Sequence, residues 1–191
     1  MSRTIIKRIV RRSLKGYHSP YRDPFRYLSM RQTGRKRFIA AMRTILSGTL
    51  SGDFNPRAPH SELRLLEHLA GKALDRGLWQ LAYVGRHLAG MVLAQRRPSR
   101  PNEGTLFFLG ISPAFRGRSY GKILHAKGLE LLAHAGCLRY LGGTDIRNKP
   151  MLQTFRANGC RAAGTWACDA QTGKRLRRAR NRHFQIIHAC H

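Results

Sequence analysis

Between Leu106 and Leu124 an apolar run, Leu106-Phe-Phe-Leu-Gly-Ile111, enters the turn Ser112-Pro-Ala-Phe-Arg-Gly-Arg-Ser119 and leaves it as an amphipathic stretch opening Tyr120-Gly-Lys-Ile-Leu124. The pattern predicts a strand, a tight Arg- and Gly-rich turn, and a helix over residues 120–135 whose Tyr120, Ile123, Leu124, Gly128, Leu131 and Leu132 share one flank. A further strand is predicted over residues 138–143. Strand, helix, strand is a crossover, and the two strands of a crossover run parallel. The turn is also an anion cradle. Backbone N–H groups at a helix start lack intrahelical acceptors, and the aligned peptide dipoles make that end partly positive. Arg116, Arg118 and Lys122 add formal charge to the same place.

Upstream, residues 35–47 read as a helix with Phe38, Ile39, Met42 and Ile45 on one side. Ser61 is expected to cap another, built on Leu63, Leu65, Leu66, Leu69 and Leu74 and stopped by Gly77. Residues 78–84 and 88–95 predict a hairpin, with a polar turn leading to a strand over 105–111. Pro150 suits the first turn of a helix over 149–157, and residues 160–168 and 182–189 are read as a closing hairpin. The first residues are read differently. Ile5, Ile6, Ile9, Val10 and Leu14 recur at helical spacing with arginines elsewhere, predicting a basic amphipathic helix within an N-terminal extension over 1–58, ahead of a domain over 59–191. The strap after it, with Pro20 and Pro24, is irregular.

Charge sets the chain apart. Its 36 Lys+Arg against 9 Asp+Glu give a net charge of +27, which predicts attraction to polyanions such as RNA or an anionic lipid surface. No apolar run approaches the ~20 residues a membrane span needs. Cys137, Cys160, Cys168 and Cys190 are widely spaced without Cys-x-x-Cys pairing. That spacing argues against zinc or any other metal. With no signal peptide visible, it favours reduced thiols in a cytoplasmic setting, although the Arg-rich start leaves an organelle presequence or peripheral membrane contact open.

The turn resembles the pyrophosphate loop of the GNAT superfamily of acyl-CoA-dependent N-acetyltransferases. In that family an aliphatic-x-Pro strand end precedes Arg/Gln-x-x-Gly-x-Gly/Ala, and Ile111, Pro113, Arg116 and Gly121 stand on its positions while Ser119 replaces a glycine. Downstream, Asn148 and Gly159 fall on the family's Asn-x-x-Ala-x-x-Leu-Tyr-x-x-x-Gly-Phe segment. Phe155 stands where the tyrosine is often the general acid, and Cys160 replaces the aromatic. The resemblance covers roughly residues 60 to 190.

It implies an α/β fold, a mixed antiparallel-to-parallel sheet flanked by helices, here with the basic helical extension. It also implies acetyl-CoA or another acyl-CoA as co-substrate, held by Leu109, Ile111, Arg116, Gly117, Arg118, Ser119, Tyr120, Gly121, Lys122, Asn148 and Phe155. The acyl group would pass directly to an amine, since no cysteine occupies a nucleophile position. The strand over 105–111 carries no ionisable residue, so Asp145 is the first candidate base, His125 the second, and Tyr120 a candidate acid. Each also has a structural reading: a helix-start carboxylate, a helix-flank histidine and a core ring. Arginines 175, 177, 178, 180 and 182 would favour a phosphate-bearing acceptor. The alternative is a catalytically degenerate module that binds RNA or an anionic membrane surface. The acceptor, the acyl length and the oligomeric state are left open.

Overall fold

Five of the seven residues from Thr4 to Val10 are β-branched, and such side chains lose little on a pleated surface but crowd the preceding turn of a helix. The segment expected as a helix is accordingly a strand, β1 (Thr4–Ser13). The i, i+4 spacing of its isoleucines and valine gave a false helical period, because β1 is buried on both faces and does not alternate cleanly. The computed structural model describes residues 4–49, 54–169 and 175–178.

After β1 come β2 (Arg26–Ser29), the short α1 (Met30–Thr33), α2 (Arg35–Leu46) and α3 (Pro59–Ala70). Strands β3 (Trp79–Val84), β4 (His87–Arg97) and β5 (Arg100–Ile111) form a meander. Then follow α4 (Tyr120–His134), β6 (Arg139–Asp145), α5 (Lys149–Ala157), β7 (Arg161–Asp169) and β8 (Arg175–Arg178). Helix α3 starts two residues before Ser61, at Pro59, whose missing N–H and preset φ suit a first turn. It ends at Gly71 in a positive-φ conformation rather than at Gly77. The closing hairpin pairs β7 with β8; the expected partner over 182–189 lies outside the described residues.

The eight strands lie in one sheet in the order β2-β3-β4-β5-β6-β1-β7-β8. Every neighbouring pair is antiparallel except β5 and β6. Alternation along β4 sorts the core. Met91 and Leu93 face a cluster with Phe38, Met42 and Leu46 of α2 and Leu63 and Leu66 of α3, whereas Val92 and Ala94 face the side covered by α4. Residues on both sides of position 58 thus share one core. β1 is hydrogen-bonded on both edges, to β6 and β7, so it is a central strand of the sheet.

Candidate acyl-CoA cleft

Strands β5 and β6 start as neighbours and then part. Their pairing is confined to Glu103 opposite Arg139 and Gly104 opposite Tyr140. Beyond it β5 stays paired to β4 and β6 to β1, so each leaves one edge without a strand partner. A bulge helps to turn β5 away: Leu93 faces Phe108 but Ala94 faces Leu106, leaving Phe107 as the extra residue. The gap is part of a cleft of about 1350 Å³ that passes from α4 and α5 on one side of the sheet to α2 and α3 on the other. Leu109 and Ile111 form its β5 wall.

The turn at the open end presents its amides. Pro113–Phe115 make a 3-10 turn in which Phe115 N–H donates to Ser112 O and Arg116 N–H to Pro113 O. The next three amides, of Gly117, Arg118 and Ser119, donate to nothing among the described residues. Tyr120, Gly121 and Lys122 open α4, where N–H groups have no intrahelical acceptor, and the first turn carries no acidic side chain. Gly117 has φ 77°, and Ser119 has φ 59°, the one positive φ of a non-glycine residue among those described. A serine in that left-handed conformation costs about 1–2 kcal/mol. Strain kept at this position is what a site shaped for a ligand shows, and glycine would remove it.

Arg116 is placed differently from the expectation that it meets phosphate. Its guanidinium donates to Ile111 O (3.1 Å) and to the carbonyls that end α2: Ile45 (3.0 Å), Ser47 (2.8 Å) and Gly48 (3.0 Å). It ties the turn to α2 and closes that helix as a cap. Arg116→Ala should therefore lower unfolding stability by about 1–2 kcal/mol, read from the urea midpoint, because those carbonyls are regained only in part by water. Arg118 lies over the Phe115 ring (5.5 Å) and Lys122 over the Tyr21 ring (5.4 Å), so both cations flank the amides. Tyr120 lines the cleft with its ring edge-on to Phe25 at 5.0 Å.

Asn148 lines the cleft and caps α5 through Oδ1, which accepts from Met151 N–H at 3.2 Å. Phe155 is buried and forms part of the wall. The two candidate bases sit elsewhere. Asp145 is fully buried off the cleft, its Oδ1 accepting from Arg147 N–H (2.9 Å) and Nε (3.0 Å) and its Oδ2 from the same guanidinium. His125 is also fully buried, edge-on to the Tyr140 and Phe155 rings at 5.3 and 5.4 Å. Burial, with the Arg12 charge adding to it, lowers its pKa to about 3. It is neutral at physiological pH but does not itself face the cleft.

Sequence reasoning missed other residues that do. Glu62, next to the expected cap Ser61, supplies the only carboxylate lining the cleft among the described residues. Burial raises its pKa, against a hydrogen bond from Asn55 N–H at 2.9 Å. Lys7, Ile9 and Trp166 line the cleft from β1 and β7, and Tyr140 lines it from β6 on the face that packs against α4 and α5. None belongs to a recognisable motif, and the pairing of β1 is what brings Lys7 and Ile9 here. Among the described residues no three His, Cys, Asp or Glu side chains gather as a metal site, and no helix is long and apolar enough to cross a membrane.

No curated protein matches the sequence. The fold is similar to that of a GCN5-related N-acetyltransferase from Sphaerobacter thermophilus, at 16% identity and TM-score 0.63 over 92% of this chain. It is also similar to a tandem GNAT protein from the clavulanic acid biosynthesis pathway (14%, 0.59, 88% of this chain) and to a GNAT-family acetyltransferase from Colwellia psychrerythraea (10%, 0.57, 87%). The chain spans 55% of the length of each of these three. The Acetyltransferase (GNAT) family matches residues 39–160, well over half of the sequence, so the chain belongs to the GNAT acetyltransferase family.

Proposed function

We propose that this chain is an acyl-CoA-dependent N-acyltransferase that moves an acetyl or other acyl group directly from the coenzyme A thioester to an amine. One observation carries this reading: unpaired amides at the start of α4 stand at the mouth of a gap between two strands with open edges. A pyrophosphate takes the amides of Gly117 to Lys122, with Arg118 and Lys122 beside it. The pantetheine amides complete the open β5 edge at Leu109 and Ile111 as an added strand would, passing Tyr120, Asn148 and Phe155. Saturating acetyl-CoA should raise the thermal midpoint of the full chain, and the absence of a shift with any acyl-CoA would sink the reading.

The amine must lose a proton as the amide forms. With Asp145 held in its ion pair and His125 walled off, we assign that proton to Glu62, the carboxylate that lines the cleft among the described residues. Its raised pKa has a thermodynamic signature. The folded chain favours the protonated carboxyl, so this contribution to stability is present below the ordinary value near 4.5 and is lost as pH rises through the folded value. Glu62→Gln should therefore be more stable than wild type at neutral pH, by a margin that vanishes in acid, while transfer activity falls. Equal stability at both pH values would remove Glu62 from the role.

A binding-only reading, for RNA, is favoured by one feature. Arg11 and Arg161 stand directly opposite each other on β1 and β7, both exposed, and like charges in that register repel unless an anion lies over them. Tight RNA binding with a steep salt dependence, together with no transfer to any amine pool, would decide for it.

A further inference from the structure

Tyr140 is the last residue of β6 with a partner on β5. Its ring lies forward over Gly142: a Cβ there would overlap the phenol oxygen and stand 2.5 Å from Cζ. Position 142 must be glycine because the phenol fills its side-chain space. The hydroxyl is thereby carried past the last paired position to where the strands part, and both residues line the cleft. On α4, His125 Nε2 lies 3.3 Å from this oxygen.

Two proton arrangements are open to the pair. If Nε2 is bare and accepts from the phenol, the ring proton sits on Nδ1, which is buried with no hydrogen-bond partner among the described residues. A buried N–H without an acceptor is the rare and costly case. If instead Nε2–H donates to the Tyr140 oxygen, the atom without a partner is only a lone pair, and the phenol keeps its own proton for the cleft. The second arrangement is favoured and assigns the tautomer. Tyr140 then offers a donor that no group among the described residues accepts.

A ligand with its phosphates at α4 enters the gap from the open end and brings its reactive end toward the point where the strands meet. Resting on the acyl-CoA reading above, we infer that the Tyr140 hydroxyl donates a hydrogen bond to the coenzyme A sulfur, with His125 as the positioning residue that aims it. During transfer the C–N bond forms and the C–S bond breaks, with its electron pair leaving on sulfur. The amine proton passes to the base and on to solvent, and the thiolate later takes a proton from solvent to become the free thiol. Tyr140 keeps its proton throughout and holds the sulfur's charge, which fits a phenol whose pKa burial raises well above 10. Phe155, against the same imidazole, has no hydroxyl to compete for the sulfur.

Calorimetric binding of coenzyme A and of desulfo-coenzyme A, in which hydrogen replaces the thiol, tests this with the full chain. At alkaline pH, where the thiol of coenzyme A ionises, wild type should bind coenzyme A about tenfold or more tighter than the desulfo compound, as a hydrogen bond to a charged group predicts. Tyr140→Phe should bind the two alike while keeping the wild-type affinity for the desulfo compound. His125→Phe should shrink the preference in the same way. Equal affinities in wild type would overturn the role of Tyr140 and leave the acyl-CoA reading standing, whereas failure of both ligands to bind would overturn both. The wild-type comparison decides even if a variant does not fold.

Discussion

Gly121→Asp should abolish the thermal shift produced by acetyl-CoA without lowering the stability of the free protein. Position 121 is the second residue of α4, where an acidic side chain interacts favourably with the helix dipole by about 0.3–1 kcal/mol. A Cβ at this site would meet only the Thr154 hydroxyl, at 3.3 Å, which a small rotation accommodates. The introduced carboxylate would occupy the amides that a pyrophosphate needs and would repel that anion. A loss of roughly 100-fold or more in affinity, about 3 kcal/mol, is expected in isothermal titration. Opposite signs in stability and binding separate a ligand site from a structural turn. Unchanged binding would mean that the phosphates do not lie here.

Acid should unfold this protein earlier than its few carboxylates require, because of His125. The folded pKa is about 3 against an ordinary 6.5, and the cause is burial first, with the Arg12 charge second. A lowered pKa means that below 6.5 the unfolded chain takes up a proton that the folded chain refuses. The stability contributed by the neutral ring is complete above 6.5 and is lost as pH falls toward 3, at about 1.4 kcal/mol per pH unit and several kcal/mol in all. His125→Gln keeps an N–H able to reach the Tyr140 oxygen and does not titrate. Its urea-unfolding free energy, relative to wild type, should therefore improve steadily from pH 7 to pH 4. Parallel curves for the two proteins would show that the imidazole is hydrated and that its neutrality is not enforced.

Both expectations concern groups whose neighbours lie far away in sequence, and this is where reading the chain alone stopped. His125 looks from its helix like any flank residue; only the approach of β6 and α5 encloses it between Tyr140 and Phe155. Arg116 sits in a loop motif that suggests phosphate, yet the nearest acceptors are the carbonyls at the end of α2, some seventy positions upstream. Glu62 follows the expected cap Ser61, and nothing local says that its helix borders the cleft. The helix assigned to β1 failed for a related reason. A strand buried on both faces has no clean alternation, and the β-branched density from Thr4 to Val10 was the better guide.

By itself the sequence determined what is settled within about twenty residues: the strand, the tight Arg- and Gly-rich turn, the bare amides opening α4, and the order in which the later elements follow. Backbone hydrogen bonds, glycine conformations and helix starts are local, so their residue types announce them. Only the tertiary structure decided that the first strand lies between β6 and β7. It also decided that β5 leaves β6 after two paired positions and that a phenol fills the place of a glycine side chain there. A strand edge accepts any partner of suitable length and polarity. Which one it receives depends on the competition among all the edges in the sheet, and no short stretch of chain encodes that outcome.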